Sequence, residues 1–489
     1  MSLINRLKTY RYELIAVLNG AIVMVFEIVG ARFIQPYFGN SIYVWTAVIG
    51  VILGALSAGY WYGGRMADRA ASDRILSWIF TFAASVLLIT LYFKDSILSQ
   101  VFILGGDIRW QAFVSAVILF LPVNFLLGLV SPQLAKLRLA SLTTAGRAVG
   151  NLYAAGTFGS ILGTFLTGYW LIAWFGSRSL GASLVLALVI ASHAARLRGL
   201  LWLRIGLIVA TIALMSVGGS SVAAASGSKL VFNGDSAYSH WSVIDSPMQS
   251  STLRYLTTDP SNAESGIVIG SPDAVPFYYM QTFAKVAASS PDMKHVLIIG
   301  GGAYTLPTLL AARYPNVQID VVEIDPYLDK LASIYFGFKP NPRIHILHED
   351  GRVFLNQSHQ KYDLAYMDAF NALSPPFQLT TTEAVSKLAG LINPKGLVAV
   401  NLVTPPNSKF AHAERLVYER NFDTVRVGSV NPAAPLSKLQ NIIVLAGPSS
   451  STVNPVFEGL GTKDLGQVSG GQLLTDDFAP VEQLTGNSN

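Results

Sequence analysis

Three acids carry the chemistry that can be read from this chain. Glu323, Asp350 and Asp368 each follow an apolar run of strand character. Ahead of them, Val296 to Ile299 runs straight into Gly300, Gly301 and Gly302. Glycines let a ligand approach the backbone closely, because no Cβ intervenes. A carboxylate at the tip of the following strand can accept hydrogen bonds from two ribose hydroxyls. A glycine turn after a strand, with an acid about twenty residues further on, reads as a nucleoside site. A tight turn in an ordinary α/β domain is the competing reading.

Such residues need a sheet to position them. Apolar runs predict strands over 296–300, 318–323, 343–347, 362–367 and 397–402, with a last strand region near 441–445. A helix over 306–313 separates the first two. This alternation predicts an α/β, doubly wound sheet, in which ligands bind beyond the carboxyl ends of the strands. Glu323, Asp350 and Asp368 all fall there, at the ends of consecutive strands. His345 and His348 read as strand-edge residues, and no metal-ligand spacing occurs, so no metal is expected. The stretch from Ala369 to Glu383 is irregular and carries Pro375 and Pro376. A lid would sit there, and a plain connecting loop is the alternative. Short alternating runs at Trp241, Thr252 and Gly266 predict a small antiparallel sheet in front of this fold. Residues 276–288 read as a helix carrying Tyr278 and Tyr279. The tail from Leu474 to Glu482 is acidic and is expected to fold back.

Composition divides the chain. Its 489 residues exceed one typical domain. It is 51% hydrophobic and only 13% charged, and the shortage of charge is local. Residues 1–220 hold 16 Lys and Arg against 6 Asp and Glu, whereas the remainder holds 18 against 23. The basic excess flanks apolar segments, as membrane topology demands, so it does not indicate a nucleic-acid partner. The absence of cysteine excludes a disulfide, a thiolate nucleophile and Cys-ligated zinc.

Seven apolar stretches are long enough, or nearly so, to span a bilayer: 13–34, 42–63, 75–93, 111–134, 148–175, 178–195 and 201–220. The first lacks a cleavage site and contains Glu27, so it is not a signal peptide. Gly50, Gly54 and Ala58, then Gly156, Ser160 and Gly163, recur at helical spacing and suit close helix packing in lipid. Lys and Arg gather on one side, at Arg6, Lys8 and Arg11, at Arg65, Arg69 and Arg74, at Lys136, Arg138 and Arg147, and at Arg196, Arg198 and Arg204. The other side has Arg32, Lys94, Arg109 and Arg178. The amino terminus is therefore expected in the cytoplasm, and with seven spans the soluble half falls outside the cell membrane. Arg32 is expected to snorkel, and Glu27 is a candidate for an ion or substrate path. The expected domains are a transmembrane helical domain (1–220), a small-residue linker (221–235), a small β-rich subdomain (236–290) and a Rossmann-like nucleoside-binding domain (291–489).

Val-Leu-Ile-Ile-Gly-Gly-Gly, Val-Val-Glu-Ile-Asp, Glu-Asp-Gly and Tyr-Asp-Leu-Ala-Tyr-Met-Asp resemble the spermidine synthase (polyamine aminopropyltransferase) family over roughly 235–445. The apolar half, with Gly63-Gly64-Arg65-Met66-Ala67-Asp68-Arg69, and the Leu-Thr-Asp-Asp tail look like bacterial proteins that fuse membrane spans to a synthase-like domain. The resemblance implies a methyltransferase-like Rossmann fold. It also implies that decarboxylated S-adenosylmethionine, or a related thioadenosine, is a co-substrate and not a tightly bound cofactor. Gly300, Gly301, Gly302 and Glu323 would hold its ribose side, and Asp350 with Gly351 would face adenine. Asp368 matches the base that deprotonates the attacking amine, and Tyr278 matches a tyrosine that positions it. Tyr279 and Asn371 would line the amine side. The chain departs from the family pattern at Ala303 and Asn371, where the family has acids, and near Met280, where an acid is replaced. These acids bind polyamine ammonium groups, so putrescine is less well supported than the nucleoside.

Three functions follow from different classes. The first is a membrane-integrated aminopropyltransferase. The second is an S-adenosylmethionine-dependent methyltransferase on the same sheet. The third is a non-enzymatic membrane sensor or transporter whose soluble half binds a nucleoside or polyamine. Asp368 and Tyr278 favour the first, and Ala303 and Asn371 favour the others. A homo-oligomer is compatible with all three.

Overall fold

The structure, a computed structural model, describes residues 10–38, 41–139, 145–197, 199–216, 227–248, 251–258, 263–271, 274–370, 375–466 and 471–485. The chain forms two compact units, Met1–Ala223 with Gly234–His240, and Ala224–Asn233 with Trp241–Asn489.

The first unit is helical: α1 (Arg11–Phe38), α2 (Ile42–Arg69), α3 (Asp73–Leu104), α4 (Ile108–Gly128), α5 (Val130–Arg138), α6 (Ala145–Leu166), α7 (Ile172–Ala195) and α8 (Leu201–Ser216). Ser41, Ser72 and Asp107 cap α2, α3 and α4 by accepting from free backbone N–H groups of the first turn. Phe26 and Phe120 meet edge to face at 5.4 Å in the core between α1 and α4. Helix α6 lies so close to α1 that a Cβ on Gly159 would stand 1.9 Å from the Val17 carbonyl oxygen. That contact is the close approach expected of small residues in lipid. The outer face carries Trp61, Tyr92, Trp110, Trp174 and Trp202, all exposed. In water so much apolar surface would be a liability, and it is compatible with contact to a bilayer.

Five helical segments are long and apolar enough to cross a membrane: Arg11–Phe38, Ile42–Arg69, Asp73–Leu104, Ile108–Arg138 and Trp174–Ala195. They are compatible with membrane insertion. The sequence predicts seven, and the fifth and seventh fall short. Residues 148–175 form α6, whose Gly, Ala, Ser and Thr residues lower its apolarity, and then a π-helical turn over Thr167–Leu171. Helix α8 has 16 residues, about 24 Å at 1.5 Å per residue, and the predicted end at 217–220 lies outside the described residues. Arg32 donates to the Ala237 carbonyl, so the arginine expected to snorkel has a backbone partner in its own unit.

A four-stranded sheet, mostly in the second unit, runs in the order β1 (Lys229–Asp235), β2 (His240–Met248), β3 (Ser251–Thr257) and β4 (Ser265–Val268), with β2, β3 and β4 antiparallel. The predicted linker over 221–235 is corrected at its end: residues 229–235 pair as a strand, because Val231 and Phe232 pack against Trp241, Val243 and Leu256. Residues 221–226 lie outside the described set. Helix α9 (Tyr278–Ala288) follows. Then come β5 (His295–Ile299), α10 (Thr305–Arg313), β6 (Gln318–Val322), α11 (Tyr327–Tyr335), β7 (Ile344–Leu347), α12 (Gly351–Gln357), β8 (Tyr362–Met367), α13 (Thr382–Leu391) and β9 (Ile392–Thr404). Helix α14 (Lys409–Asn421), β10 (Thr424–Ser429), β11 (Gln440–Gly447), α15 (Ser450–Gly459), β12 (Lys463–Asp464) and α16 (Val481–Thr485) complete it.

The large sheet runs β12-β10-β11-β9-β8-β5-β6-β7. Strands β7, β6, β5, β8 and β9 are parallel, whereas β11, β10 and β12 pair antiparallel. The chain order reverses between β5 and β8, which is the switch point where such sheets open a crevice. Strands β10 and β12 were not predicted from the sequence. The two sheets are tied within this unit. Trp241 Nε1 donates to Asp325 Oδ2 at 2.7 Å, and Arg254 grips Asp245 through two bonds of 2.7 and 2.8 Å while reaching the Tyr335 carbonyl at 3.1 Å.

Candidate functional site

The strand tips are laced together. The Gly300 N–H donates to the Val322 carbonyl at 2.9 Å, and the Asp368 N–H donates to the Ile299 carbonyl at 2.8 Å. Gly300 has φ +99°, and a Cβ there would lie 2.3 Å from the Asp368 carbonyl oxygen. Both conformation and space therefore require glycine at this turn. The loop ends on Tyr304, a non-glycine residue at φ +53°. Its ring is fully buried and its hydroxyl donates to Asp329 Oδ1 at 2.7 Å. Packing holds a backbone conformation that side chains other than glycine rarely adopt.

Glu323 follows β6 and is buried at 8% exposure. Its Oε2 accepts the Gly301 N–H at 2.8 Å and its Oε1 accepts the Asp325 N–H at 2.9 Å. Burial pushes its pKa above the ordinary carboxylate value, and these N–H donors oppose the shift. A third donor is the Gly302 N–H, so the carboxylate is already met by three backbone N–H groups. Asp325 is 2% exposed and held by Trp241 and by the Tyr327 N–H at 3.1 Å. It therefore supports the strand tip and does not face a ligand. Its sequence signal, the acid two residues after Glu323, was present without indicating that role.

Asp350 is the N-cap of α12. Its Oδ1 accepts the Arg352 and Val353 N–H groups at 2.7 and 3.2 Å, and its Oδ2 accepts from Gln378 Nε2 at 3.4 Å. Gly351 begins the helix. The acid has the duty of an ordinary cap and also stands at the active end of the sheet.

Asp368 follows β8. Its Oδ1 accepts from Asn401 Nδ2 at 2.9 Å, and Asn401 Oδ1 accepts from Asn441 Nδ2 at 2.9 Å. Burial pushes the Asp368 pKa up to about 7, and the Asn401 donor opposes that rise. Asn401 belongs to a strand 33 residues further on, counting from 368, so no local pattern could have signalled it.

The two adjacent tyrosines differ in burial. Tyr278 is 64% exposed. Tyr279 is buried, its hydroxyl donates to the Glu264 carbonyl at 2.6 Å, and its ring stacks on Phe277 at 6.1 Å. Burial first, and then the nearby Asp368 and Glu264 carboxylates, push its pKa well above the usual tyrosine value. Asp368 thus lies close enough to Tyr279 for its charge to contribute to that shift. Ala303, where the family carries an acid, is 2% exposed in an apolar cluster with Trp241, Leu256, Leu328, Leu331 and Phe336. Asn371 lies outside the described residues.

The sheet order and the glycine turn define a Rossmann fold of the methyltransferase type. Residues 277–438 match the spermine/spermidine synthase domain. A polyamine aminopropyltransferase of Vibrio vulnificus is 34% identical over 227 residues, covering 42% of this chain and 75% of that protein. A probable polyamine aminopropyl transferase of Bifidobacterium longum is 34% identical over 124 residues, 25% of this chain and 27% of that one. An eEF1A lysine and N-terminal methyltransferase homolog of Drosophila melanogaster is 32% identical over 119 residues, 22% of this chain and 18% of that one. The chain belongs to the polyamine aminopropyltransferase family of transferases.

Proposed function

We propose that the C-terminal half transfers an aminopropyl group from decarboxylated S-adenosylmethionine to an amine. The observation that carries this reading is Asp368. Its carboxyl stands beside Tyr279 at the end of β8, next to the glycine turn, with a pKa pushed up to about 7. A base with that pKa is poised to gain and lose a proton near neutral pH. In this reading the ammonium of the acceptor gives its proton to the Asp368 carboxylate. The freed nitrogen lone pair attacks the carbon beside the sulfonium, the C–N bond forms and the C–S bond breaks. The bonding pair returns to sulfur, and neutral methylthioadenosine leaves. The sulfonium is already a good leaving group, so the protein's part is positioning and proton acceptance.

Glu323 would hold the ribose hydroxyls, Asp350 and Gly351 would border adenine, and Tyr279 would orient the amine. Ala303 and Asn371 replace acids of the family, which favours an acceptor engaged at one ammonium over a diamine gripped at both ends. The helical unit over 1–220 would anchor this transferase in the cell membrane, with the amino terminus cytoplasmic and the transferase half outside. A methyltransferase is the second reading, favoured by Ala303 and by the similarity to methyltransferases. Incubating the full chain with decarboxylated S-adenosylmethionine and a panel of mono- and diamines tests the proposal. Release of methylthioadenosine that depends on an amine supports it. Methyl transfer from intact S-adenosylmethionine, without aminopropyl transfer, would replace it with the second reading.

A further inference from the structure

The acidic tail has no part in the chemistry above, yet it is bound into the nucleoside side of the site. Leu474 is fully buried in the core that also holds Ile299, Leu379 and Val385, and Val481 anchors the chain on the other side of the segment. Between these anchors, Thr475 and Phe478 close a tight turn through reciprocal backbone bonds of 3.1 and 3.0 Å. The tail is therefore anchored at both ends, with the turn between them.

That turn has an address. The Leu474 carbonyl accepts the Thr382 N–H at 2.9 Å, and the Asp476 N–H donates to Glu383 Oε2 at 3.0 Å. Asp476 Oδ1 accepts from Thr381 Oγ1 at 2.7 Å, while Oδ2 accepts from Arg352 Nη2 at 2.5 Å. The Arg352 Nη1 donates to Thr381 Oγ1 at 3.0 Å and to the Gln378 carbonyl at 3.2 Å. Gln378 in turn donates to Asp350, and the Arg352 N–H is one of the donors capped by Asp350. The Asp476 carboxylate thus joins the start of α12 to Thr381, and the Asp476 N–H and Leu474 carbonyl add the first turn of α13.

We propose that Leu474–Asp476 is a clasp and that Asp476 and Arg352 are positioning residues for the nucleoside wall of the cleft. This rests on the reading that Asp350 and Gly351 border the nucleoside. Asp476 is 46% exposed, and an isolated pair at that exposure would contribute little. Here the guanidinium is mostly buried, at 17% exposure, and its partners include the fully buried Thr381. Arginine presents a planar fork that fixes several acceptors in one geometry. Without Asp476, its charge loses the one carboxylate that it meets among the described residues, and the wall loses its bracket.

The test uses the full chain in detergent, with methylthioadenosine as the probe. Hydrogen exchange and calorimetric affinity are measured for wild type, Asp476→Ala, Arg352→Met and the double variant. The expected result is roughly tenfold faster exchange at the amides of 378–384 and 351–357 in each variant, with other elements unchanged. Affinity for methylthioadenosine falls about tenfold in each single variant, and the double variant is no worse than the weaker single, as coupled residues require. If Asp476→Ala fails to fold, Asp476→Asn removes the charge and keeps the Thr381 contact, with the same expectation. Unchanged local exchange in a folded variant overturns the clasp. Faster exchange with unchanged affinity overturns its positioning role. A wild type that binds no thioadenosine removes the nucleoside reading and with it the positioning role, while the exchange data still decide whether the clasp exists.

Discussion

The Glu323 carboxylate accepts the Gly301 N–H at 2.8 Å, so the acid at the tip of β6 also fixes the glycine turn at the tip of β5. One side chain therefore fixes the turn and, in the proposed function, would also accept from the ribose of the nucleoside. Replacing it has two consequences, and they can be separated by shape-conserving substitution. Glu323→Gln retains one acceptor oxygen for the loop and loses the charge. Its affinity for methylthioadenosine is expected to fall by at least about tenfold, the worth of one hydrogen bond to a charged group. Titration calorimetry on the full chain measures it. Unchanged affinity in a folded variant would remove the ribose role.

Asp368→Asn keeps the shape of the side chain and removes proton acceptance. Turnover should drop on the order of 10²–10⁴-fold, the usual worth of a positioned general base. In wild type, the rate should rise with pH through about 7, because only the ionised form accepts a proton. That limb disappears in the variant.

Stability should respond in the opposite sense. The folded pKa of Asp368 is about 7, above the ordinary value of an unfolded aspartate. The native state then binds the proton more tightly than the unfolded chain, so this residue lowers stability as pH rises from about 4 to 7. Asp368→Asn removes the cost, and its melting temperature at pH 8 should equal or exceed that of wild type. A lower value would mean that the carboxylate is a structural partner.

The two tyrosines make opposite predictions. Tyr279→Phe removes the hydroxyl beside Asp368, and kcat/KM for the amine should fall about tenfold, in the range of one lost hydrogen bond. Tyr278→Phe changes an exposed side chain and should leave both constants within twofold of wild type, about the scatter of a surface substitution. Steady-state kinetics with each variant check both expectations.

Ala303→Asp would restore the acid of the family pattern. It should not restore diamine binding, because position 303 faces the apolar cluster around Trp241 and Phe336. A carboxyl buried there without a partner should cost at least about 2 kcal/mol. Thermal or denaturant unfolding measures the loss.

The parallel part of the sheet was legible because β5, β6 and β8 are mostly apolar, interrupted in β6 by Gln318 and Asp320 and in β8 by Asp363, and are followed by glycine or acid. That pattern is what burial on both faces imposes. Strands β10 and β12 were missed for identifiable reasons. Residues 424–429 offer only short alternation, and 463–464 form a two-residue edge pairing that tertiary contact alone defines. Which of Tyr278 and Tyr279 is buried depends on the phase of an eleven-residue helix against the sheet. Adjacent tyrosines give no clue to that phase. Asn401 reaches Asp368 because β9 pairs parallel with β8, and Asn441 reaches Asn401 because β11 pairs antiparallel with β9. In the helical half, length and apolarity were visible, but the small residues that let α6 approach α1 also reduce the apolarity by which a span is recognised.

Trp241 is one of eight tryptophans, and the other seven all precede residue 220. Its indole donates to Asp325, whose N–H donates to Glu323. The chain thus carries its own optical reporter, wired by two hydrogen bonds to the strand tip. The difference in emission between wild type and Trp241→Phe isolates that reporter from the seven others. A nucleoside that settles on Glu323 should shift this difference spectrum, giving an affinity without label, product or coupled assay.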